Sequence, residues 1–348
     1  MSTPPLRIGS WPGYNARHNP FMGIFLEGLA ETGAEIVSYD SVEALLAADT
    51  DVVIIHWAET VLRQSKDRWR LMANVWQLKK FFAKRPPARP KIIWLAHNLE
   101  PHRQKRLQQL LWPSYMRALT TGVDGVLTLA PDTIKTVCDA LPVLTQTPIA
   151  SIWHPRYPAP QGDAAQARTQ ARASTGFDPD TYVFGYCGQI TPYKGIDLAL
   201  EAFTQTTAPH LRFYLAGKSA DPDLVAQISA LAARDPRIVT HFSDLSPHAF
   251  ETALLCCDTV VAPFRNYLHS GSMIHALSLG CRIVTPTAPF ANSMATLLGS
   301  NHVETYTGLL TSAMLEDYAR RPHGTPADLS ALDPAAVAAQ TLAFIDTI

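Results

Sequence analysis

Two short segments of this chain gather small residues, hydroxyls and cations in a spacing suited to binding an anion. They read GQITPYKG at 188–195 and FRNYLHSGSMIHALSLG at 264–280. Each leaves an apolar run that reads as a strand and enters a helical pattern. The first turn of a helix holds amides with no intrahelical acceptor and the positive end of the helix dipole. Two such turns in one parallel sheet therefore point to a diphosphate site. Lys194 brings a full positive charge there, Gly188 and Gly195 allow close backbone approach, and Thr191 sits between them. In the second segment Ser270, Gly271 and Ser272 supply hydroxyls and amides, with His275 a turn further on. Lys218, after the run LRFYLAG, is a further cation for phosphate, and Phe242, closing RIVTHF, can line a base pocket. Simpler roles compete at each position: a helix cap for Ser270, core packing for Phe242, a solvated charge for either lysine.

The first half of the chain offers groups that could move a proton. His56 and Glu59 follow the run DVVIIHW; His97, Asn98, Glu100 and His102 follow KIIWLAHN. Imidazoles and carboxylates at strand ends suit a general base, with Glu59, His97 and Glu100 as the candidates, although each could equally serve a structural hydrogen bond. The loop PGYNARHNP (12–20) adds Asn15, Arg17, His18 and Asn19 as acceptor or phosphate contacts. Lys194 with the helix dipoles can neutralise a departing diphosphate, so no metal is expected. The dinucleotide fingerprint GxGxxG and the phosphate loop GxxxxGK[ST] are absent, which argues against a dehydrogenase or a P-loop NTPase.

These residues need a scaffold that brings strand ends together. With 348 residues, 47% of them hydrophobic and 17% charged, the chain suits two soluble domains. Short apolar runs at 6–11, 34–39, 51–57, 91–98, 125–130 and 148–154 alternate with helical patterns at 20–32, 41–48, about 60–84, 103–121 and 131–141. The rhythm resumes with strands at 182–188, 211–217, 237–242, 258–263, 281–286 and 302–307. Helices are expected at about 195–206, 221–234, 246–256, 271–279 and 308–320. Such alternation is the mark of parallel α/β sheets. The Pro-, Gln- and Ala-rich stretch between them reads as a linker. The expected division is a first domain at 1–154, a linker at 155–180, a second domain at 181–330 and a C-terminal helix at 331–348 packing back on the first. Five cysteines without CxxC spacing read as reduced core residues. The N-terminus lacks a charged-then-apolar signal pattern and no apolar run is long enough to span a bilayer, so a cytoplasmic location is expected.

Taken together the motifs resemble a known family. NPFMGIFLEGLAETG (19–33), HWAE (56–59), HNLEPH (97–102), WHPRYP (153–158), GQITPYKG, LAGK (215–218) and SGSMIHALSLG follow one another in the manner of GT-B-fold glycosyltransferases. They are similar to the GT4-related bacterial enzymes that build exopolysaccharide repeat units on a lipid carrier, and to lipid-linked-oligosaccharide β-mannosyltransferases among them. The resemblance implies two doubly wound, Rossmann-like α/β domains facing a central cleft, the first binding acceptor and the second a nucleotide sugar. It implies transfer of a hexose from GDP-mannose, otherwise a UDP-hexose, to a polyprenyl-diphosphate oligosaccharide, without cofactor; inversion of configuration is the favoured course, with retention, in which His97 would bind a sugar hydroxyl, left open. Two departures bear on the donor. Thr191 stands where related enzymes often carry an arginine, leaving Arg265 or Lys218 to substitute. Tyr267 and His275 stand where many carry two glutamates eight residues apart. A nucleotide-sugar 2-epimerase and a non-catalytic nucleotide-sugar-binding protein are the competing readings.

Between residues 61 and 117 fourteen Lys and Arg face two acids, a net charge of +12 that leaves −13 for the rest of the chain. Trp69, Trp76, Phe81, Phe82, Trp112 and Tyr115 are interleaved with them. That mixture suits reversible attachment to an anionic membrane surface, and so a peripheral position on the inner face of the cell membrane; a solvated helix face with core aromatics is the simpler reading. No motif accompanies the patch that would suggest nucleic acid.

Overall fold

The computed structural model describes residues 4–13, 20–63, 67–84, 86–87, 89–101, 105–160, 162–264, 267–322 and 325–348. The chain divides into two compact units, one of residues 1–155 with 330–348 and the other of 156–329.

The first unit contains β1 (Arg7–Trp11), α1 (Phe21–Glu31), β2 (Glu35–Ser38), α2 (Val42–Leu46), β3 (Val52–Ile55), α3 (Thr60–Arg63), α4 (Arg68–Ala83), β4 (Lys91–Leu95), α5 (Arg106–Gly122), β5 (Gly125–Thr128), α6 (Thr133–Ala140) and β6 (Ile149–Ser151). Its six strands are all parallel, in the order β2-β1-β3-β4-β5-β6. The strand order reverses between β1 and β3, where Ile8 pairs with Val52. The runs VVII and GVLT are buried along their whole length, as strands covered by helices on both faces must be.

The second unit contains α7 (Ala164–Thr175), β7 (Tyr182–Cys187), α8 (Ile196–Thr204), β8 (Leu211–Gly217), α9 (Pro222–Arg234), β9 (Ile238–Phe242), α10 (Pro247–Leu255), β10 (Thr259–Val261), α11 (Gly271–Ser278), β11 (Arg282–Pro286), α12 (Pro289–Leu298), β12 (Val303–Tyr306) and α13 (Ser312–Arg320). Its parallel strands run in the order β12-β11-β10-β7-β8-β9. This is the doubly wound Rossmann arrangement, with its switch point between β7 and β10. Side-chain caps start several helices as the chain leaves a strand: Asp221 accepts from the Leu224 amide at 3.1 Å and Ser246 from the Ala249 amide at 3.2 Å.

The last helix, α14 (Pro334–Ile345), belongs to the first unit, where Val337, Ala338 and Phe344 join the core formed by Ile8, Phe21, Phe25 and Leu29. Gly28 of α1 lies so close that a Cβ there would meet the Pro334 carbonyl at 2.9 Å. Burying a ring such as that of Phe21, 1% exposed, is worth roughly 1.5–3 kcal/mol, so this contact is a substantial tie.

Two expectations need correction. The stretch 155–180 is not a featureless linker, because its Ala-rich part forms α7, capped by Asp163. Arg168 and Arg172, one turn apart on α7, both reach Asp258 at the entry to β10, at 2.6 and 3.1 Å. The same carboxylate accepts from the Val183 amide at 2.6 Å, and Arg172 also donates to the Thr181 carbonyl. The helical pattern of 60–84 is two helices, α3 and α4, with a fresh cap from Asp67 to the Arg70 amide at 2.8 Å.

The basic segment also divides by role. Arg89 is buried and bonds Asp124 at 2.6 Å together with the Lys84, Pro90 and Gly122 carbonyls, while Lys91 reaches the carbonyl of Ile348. Phe81, Phe82, Trp112 and Tyr115 are core residues. Trp69 and Trp76, 64% and 56% exposed, remain on the surface of α4 with Met72. Lys80 Nζ stands 3.5 Å over the Trp76 ring. Cys187, Cys256, Cys257 and Cys281 are buried and, with half-buried Cys138, carry no disulfide.

Candidate active site

The two turns expected to bind an anion leave the neighbouring strands β7 and β10, so they flank the switch point of the second sheet. After β7 the chain makes a 3-10 turn over Pro192–Lys194, with Thr191 extended as its N-cap and the Thr191 hydroxyl buried. Gly195 then takes φ +64°, and a Cβ at this position would stand 2.5 Å from the Pro263 carbonyl. Only glycine allows the first turn to lie against the chain leaving β10, and this contact joins the two segments. Gly188, at φ +128°, closes the β7 end against β8 in the same way, where a Cβ on Gly217 would overlap its carbonyl.

Lys194 is held across the junction, its Nζ 3.6 Å over the Phe264 ring and 5.2 Å from that of Tyr193. Among the described residues no carboxylate pairs with it. Burial lowers its pKa to about 8, so the ammonium is present at neutral pH but poorly solvated. An anionic ligand would relieve that cost. Ser270 caps α11, accepting from the Met273 amide at 3.4 Å, and its hydroxyl lies 3.1 Å from that of Ser272. The amides of Gly271 and Ser272, in the first turn, have no intrahelical acceptor. Thr191, Lys194, Gly195, Ser270, Gly271 and Ser272 thus belong to one region of the fold.

The remaining donor candidates sit differently. Lys218 is exposed and paired with Asp244 at 2.9 Å, so its charge is partly spent on the surface. Phe242 ends β9 opposite Gly217, with β7 and β8 lying between it and β10. His275 stacks flat on Tyr157, ring centres 4.2 Å apart and planes within 2°. Burial lowers its pKa to about 4, leaving a neutral imidazole whose Nε2 is 3.8 Å from Glu251. Tyr157 and Glu251 escaped the sequence reading; WHPRYP was visible as a motif, but nothing in it tied Tyr157 to α11. Tyr267 bonds the Thr285 hydroxyl at 3.2 Å.

In the first unit, β3 and β4 are adjacent, which brings their exits together. His56 Nδ1 and His97 Nε2 are 3.2 Å apart. His97 is 1% exposed, stacked on Trp57 at 4.4 Å and met edge-on by Phe21 at 4.7 Å. Burial pulls the His56 pKa down to about 3, so this ring is neutral. Glu59, only 3% exposed, accepts from Asn98 Nδ2 at 3.2 Å, with Arg63 3.8 Å from the same carboxylate oxygen. Its other oxygen has no protein partner among the described residues. Glu100 is exposed and makes no ion pair among the described residues, so it stands apart from the Glu59–Asn98 and His56–His97 pairs. Asn15, Arg17, His18 and Asn19 lie outside the described residues, as do Arg265 and His102.

With this geometry in place, comparison with known proteins gives a consistent answer. Residues 181–313, which contain both turns, match the family of glycosyl transferases group 1. Residues 181–313 thus form a group 1 (GT4) glycosyltransferase domain, a family whose typical donor is a nucleotide sugar, and the two six-stranded parallel sheets are those of the GT-B fold. It is distantly homologous to GDP-mannose:glycolipid 4-beta-D-mannosyltransferase of Xanthomonas campestris pv. campestris, at 25% identity over 92% of this chain and 85% of that one. Glycogen synthase of Paracidovorax citrulli is 26% identical over 52% of this chain and 38% of its own length. Among solved structures, Anabaena HepE in complex with UDP and glucose aligns over 99% of this chain and all of its own, with TM-score 0.66 and 12% identity. The catalytic domain of starch synthase IV from Arabidopsis thaliana, bound to ADP and acarbose, aligns over 95% and 78% with TM-score 0.59 and 13% identity.

Proposed function

We propose that this enzyme transfers mannose from GDP-mannose to a lipid-linked oligosaccharide during exopolysaccharide assembly, with inversion and without a metal ion. The observation that carries the donor side is Lys194, a half-buried ammonium without a carboxylate partner among the described residues, in the turn that packs against the exit of β10. Lys194 and the first-turn amides of α11 bind the diphosphate and stabilise the charge it gains as it leaves. The acceptor hydroxyl oxygen bonds to the anomeric carbon while the bond from that carbon to the diphosphate breaks. The hydroxyl proton passes to the unpartnered oxygen of Glu59. The mannosyl and glycolipid assignments rest on the Xanthomonas relative.

A donor panel tests this reading. Purified protein given GDP-mannose and a polyprenyl-diphosphate oligosaccharide should yield a product one mannose heavier, with release of GDP, in the presence of a chelator. Transfer from UDP-glucose but not GDP-mannose would overturn the mannosyl assignment; activity abolished by chelation would overturn the metal-free one.

Attachment to an anionic membrane is assigned to α4, where Trp69, Met72 and Trp76 form an exposed stripe beside Arg68 and Lys80. Rings and long cationic side chains of this kind share the headgroup layer. Among the described residues no helix is long and apolar enough to cross a membrane. In flotation with phosphatidylglycerol vesicles at low salt the protein should rise with the vesicles, and binding should fall as salt increases. The double variant Trp69→Ser, Trp76→Ser should lose most of it. Equal flotation of wild type and double variant would refute this surface.

A further inference from the structure

The first unit carries a half-open groove of about 540 Å³ formed by one side of α5, the residues just after β4 and the turn that follows α6. We infer that this groove holds the alkyl chain nearest the diphosphate of the lipid-linked acceptor, an inference that rests on the glycolipid reading above. Its apolar lining comes from Leu99, Trp112, Met116, Leu141 and Val143, the last left 45% exposed. Two threonines that could have made it polar spend their donors on their own helix: Thr120 donates to the Met116 carbonyl at 2.7 Å and Thr121 to the Arg117 carbonyl at 2.8 Å. Their methyl groups are what remains for a ligand. A free sugar needs many donors and acceptors in its site, and this lining offers few.

Charge narrows the occupant further. Arg117 and Glu100 both line the groove, and among the described residues neither makes an ion pair. An apolar trough edged by an exposed guanidinium that no ion pair engages matches an amphiphile whose apolar end carries a phosphate, since guanidinium is well suited to phosphate oxygens. The groove also begins where chemistry is placed. Leu99 and Glu100 follow directly on Asn98, which bonds Glu59, and Trp112 lies 5.8 Å from Tyr115, a ring that feels the Glu59 charge. A chain lying along α5 would therefore have its head near Glu59. The volume falls within the range of about 300–1,000 Å³ that small-molecule sites occupy, enough for a few isoprene units and not a whole carrier lipid.

Farnesyl diphosphate and isopentenyl diphosphate, titrated into the full chain and followed by calorimetry, test the groove. The two share a head and differ in apolar length, so farnesyl diphosphate should bind at least about tenfold more tightly. Val143→Glu places an anion in the trough and Ala140→Trp fills it; both positions are exposed, and each variant should weaken farnesyl diphosphate by about tenfold or more while leaving affinity for the nucleoside diphosphate unchanged. Lys194→Ala should bind farnesyl diphosphate as the wild type does. Equal affinity for the two probes, insensitivity to both groove variants, or loss of binding in Lys194→Ala would each overturn the assignment, the last by placing the probe in the donor turn. The proposed transfer reaction is assayed separately. If the groove tests succeed and no mannose reaches a lipid-linked oligosaccharide, the acceptor reading fails; if transfer occurs and the groove tests fail, the groove assignment does.

Discussion

Lys194→Ala should lower transfer efficiency roughly ten- to a hundredfold, the equivalent of about 1.5–3 kcal/mol for a charge-assisted contact to the donor diphosphate. The loss should appear in donor affinity by calorimetry as well as in turnover. The wild type should show a matching pH dependence. Because burial lowers the Lys194 pKa to about 8, the free enzyme carries the charge below that value and loses it above. Bound diphosphate favours the charged form, so donor affinity should be level below pH 8 and fall by up to about tenfold per pH unit above it. This slope should be missing in Lys194→Ala.

Stability should move the other way, which separates a binding lysine from a structural one. The unfolded chain holds the Lys194 proton up to about pH 10.5 and the folded chain only to about 8, so between these values the unfolded state binds more protons and stability rises with pH. At neutral pH the unliganded protein bears the cost of a half-buried, poorly solvated ammonium. Lys194→Ala should therefore melt no lower than wild type, while donor-induced stabilisation, an increase in Tm with added nucleoside diphosphate, is reduced. Full donor affinity and full turnover in the variant would sink the diphosphate assignment.

The two glycine-bearing strand-to-helix turns were legible because their geometry is local. Strand, glycine, lysine and helix start follow one another within a few residues, and adjacent strands of a doubly wound sheet do the rest. All twelve strands could be read for a related reason, since short apolar runs such as VVII and GVLT are what a sheet covered on both faces requires. What stayed hidden depends on partners distant in sequence. Arg168 and Arg172 looked like linker charges until Asp258 was seen to accept from both. Arg89 looked like part of a membrane-binding surface until four acceptors were found around its guanidinium. Helix α12 went unread because its sequence PFANSMATLL begins with proline directly after β11, a position that proline favours and that a reader takes for a break. On the donor side, the pairing of His275 with Tyr157 and Glu251 supplies a ring and a carboxylate that neither short motif contains.

Glu59→Gln should reduce turnover by at least about a hundredfold, as loss of a general base commonly does. The substitution tests proton transfer with little disturbance to packing. A glutamine carbonyl can still accept from Asn98 Nδ2, now at 3.2 Å from Glu59, and the amide fills the same volume, but it cannot take a proton. Donor affinity should hardly change, because the base acts in the step that involves acceptor. His97 is the rival, and the structure distinguishes the two. Its Nε2 is already engaged by His56 and its ring is clamped between Trp57 and Phe21, whereas Glu59 keeps one oxygen without a protein partner among the described residues. Removing His97 leaves a cavity and an orphaned imidazole, so His97→Ala should also lower Tm; the informative quantity is how its kinetics divide. If His97 only orients a sugar, acceptor KM rises and kcat changes less, while Glu59→Gln shows the reverse. A Glu59→Gln enzyme turning over near the wild-type rate would remove Glu59 as the base, and a hundredfold fall in kcat at unchanged acceptor KM for His97→Ala would install the histidine in its place.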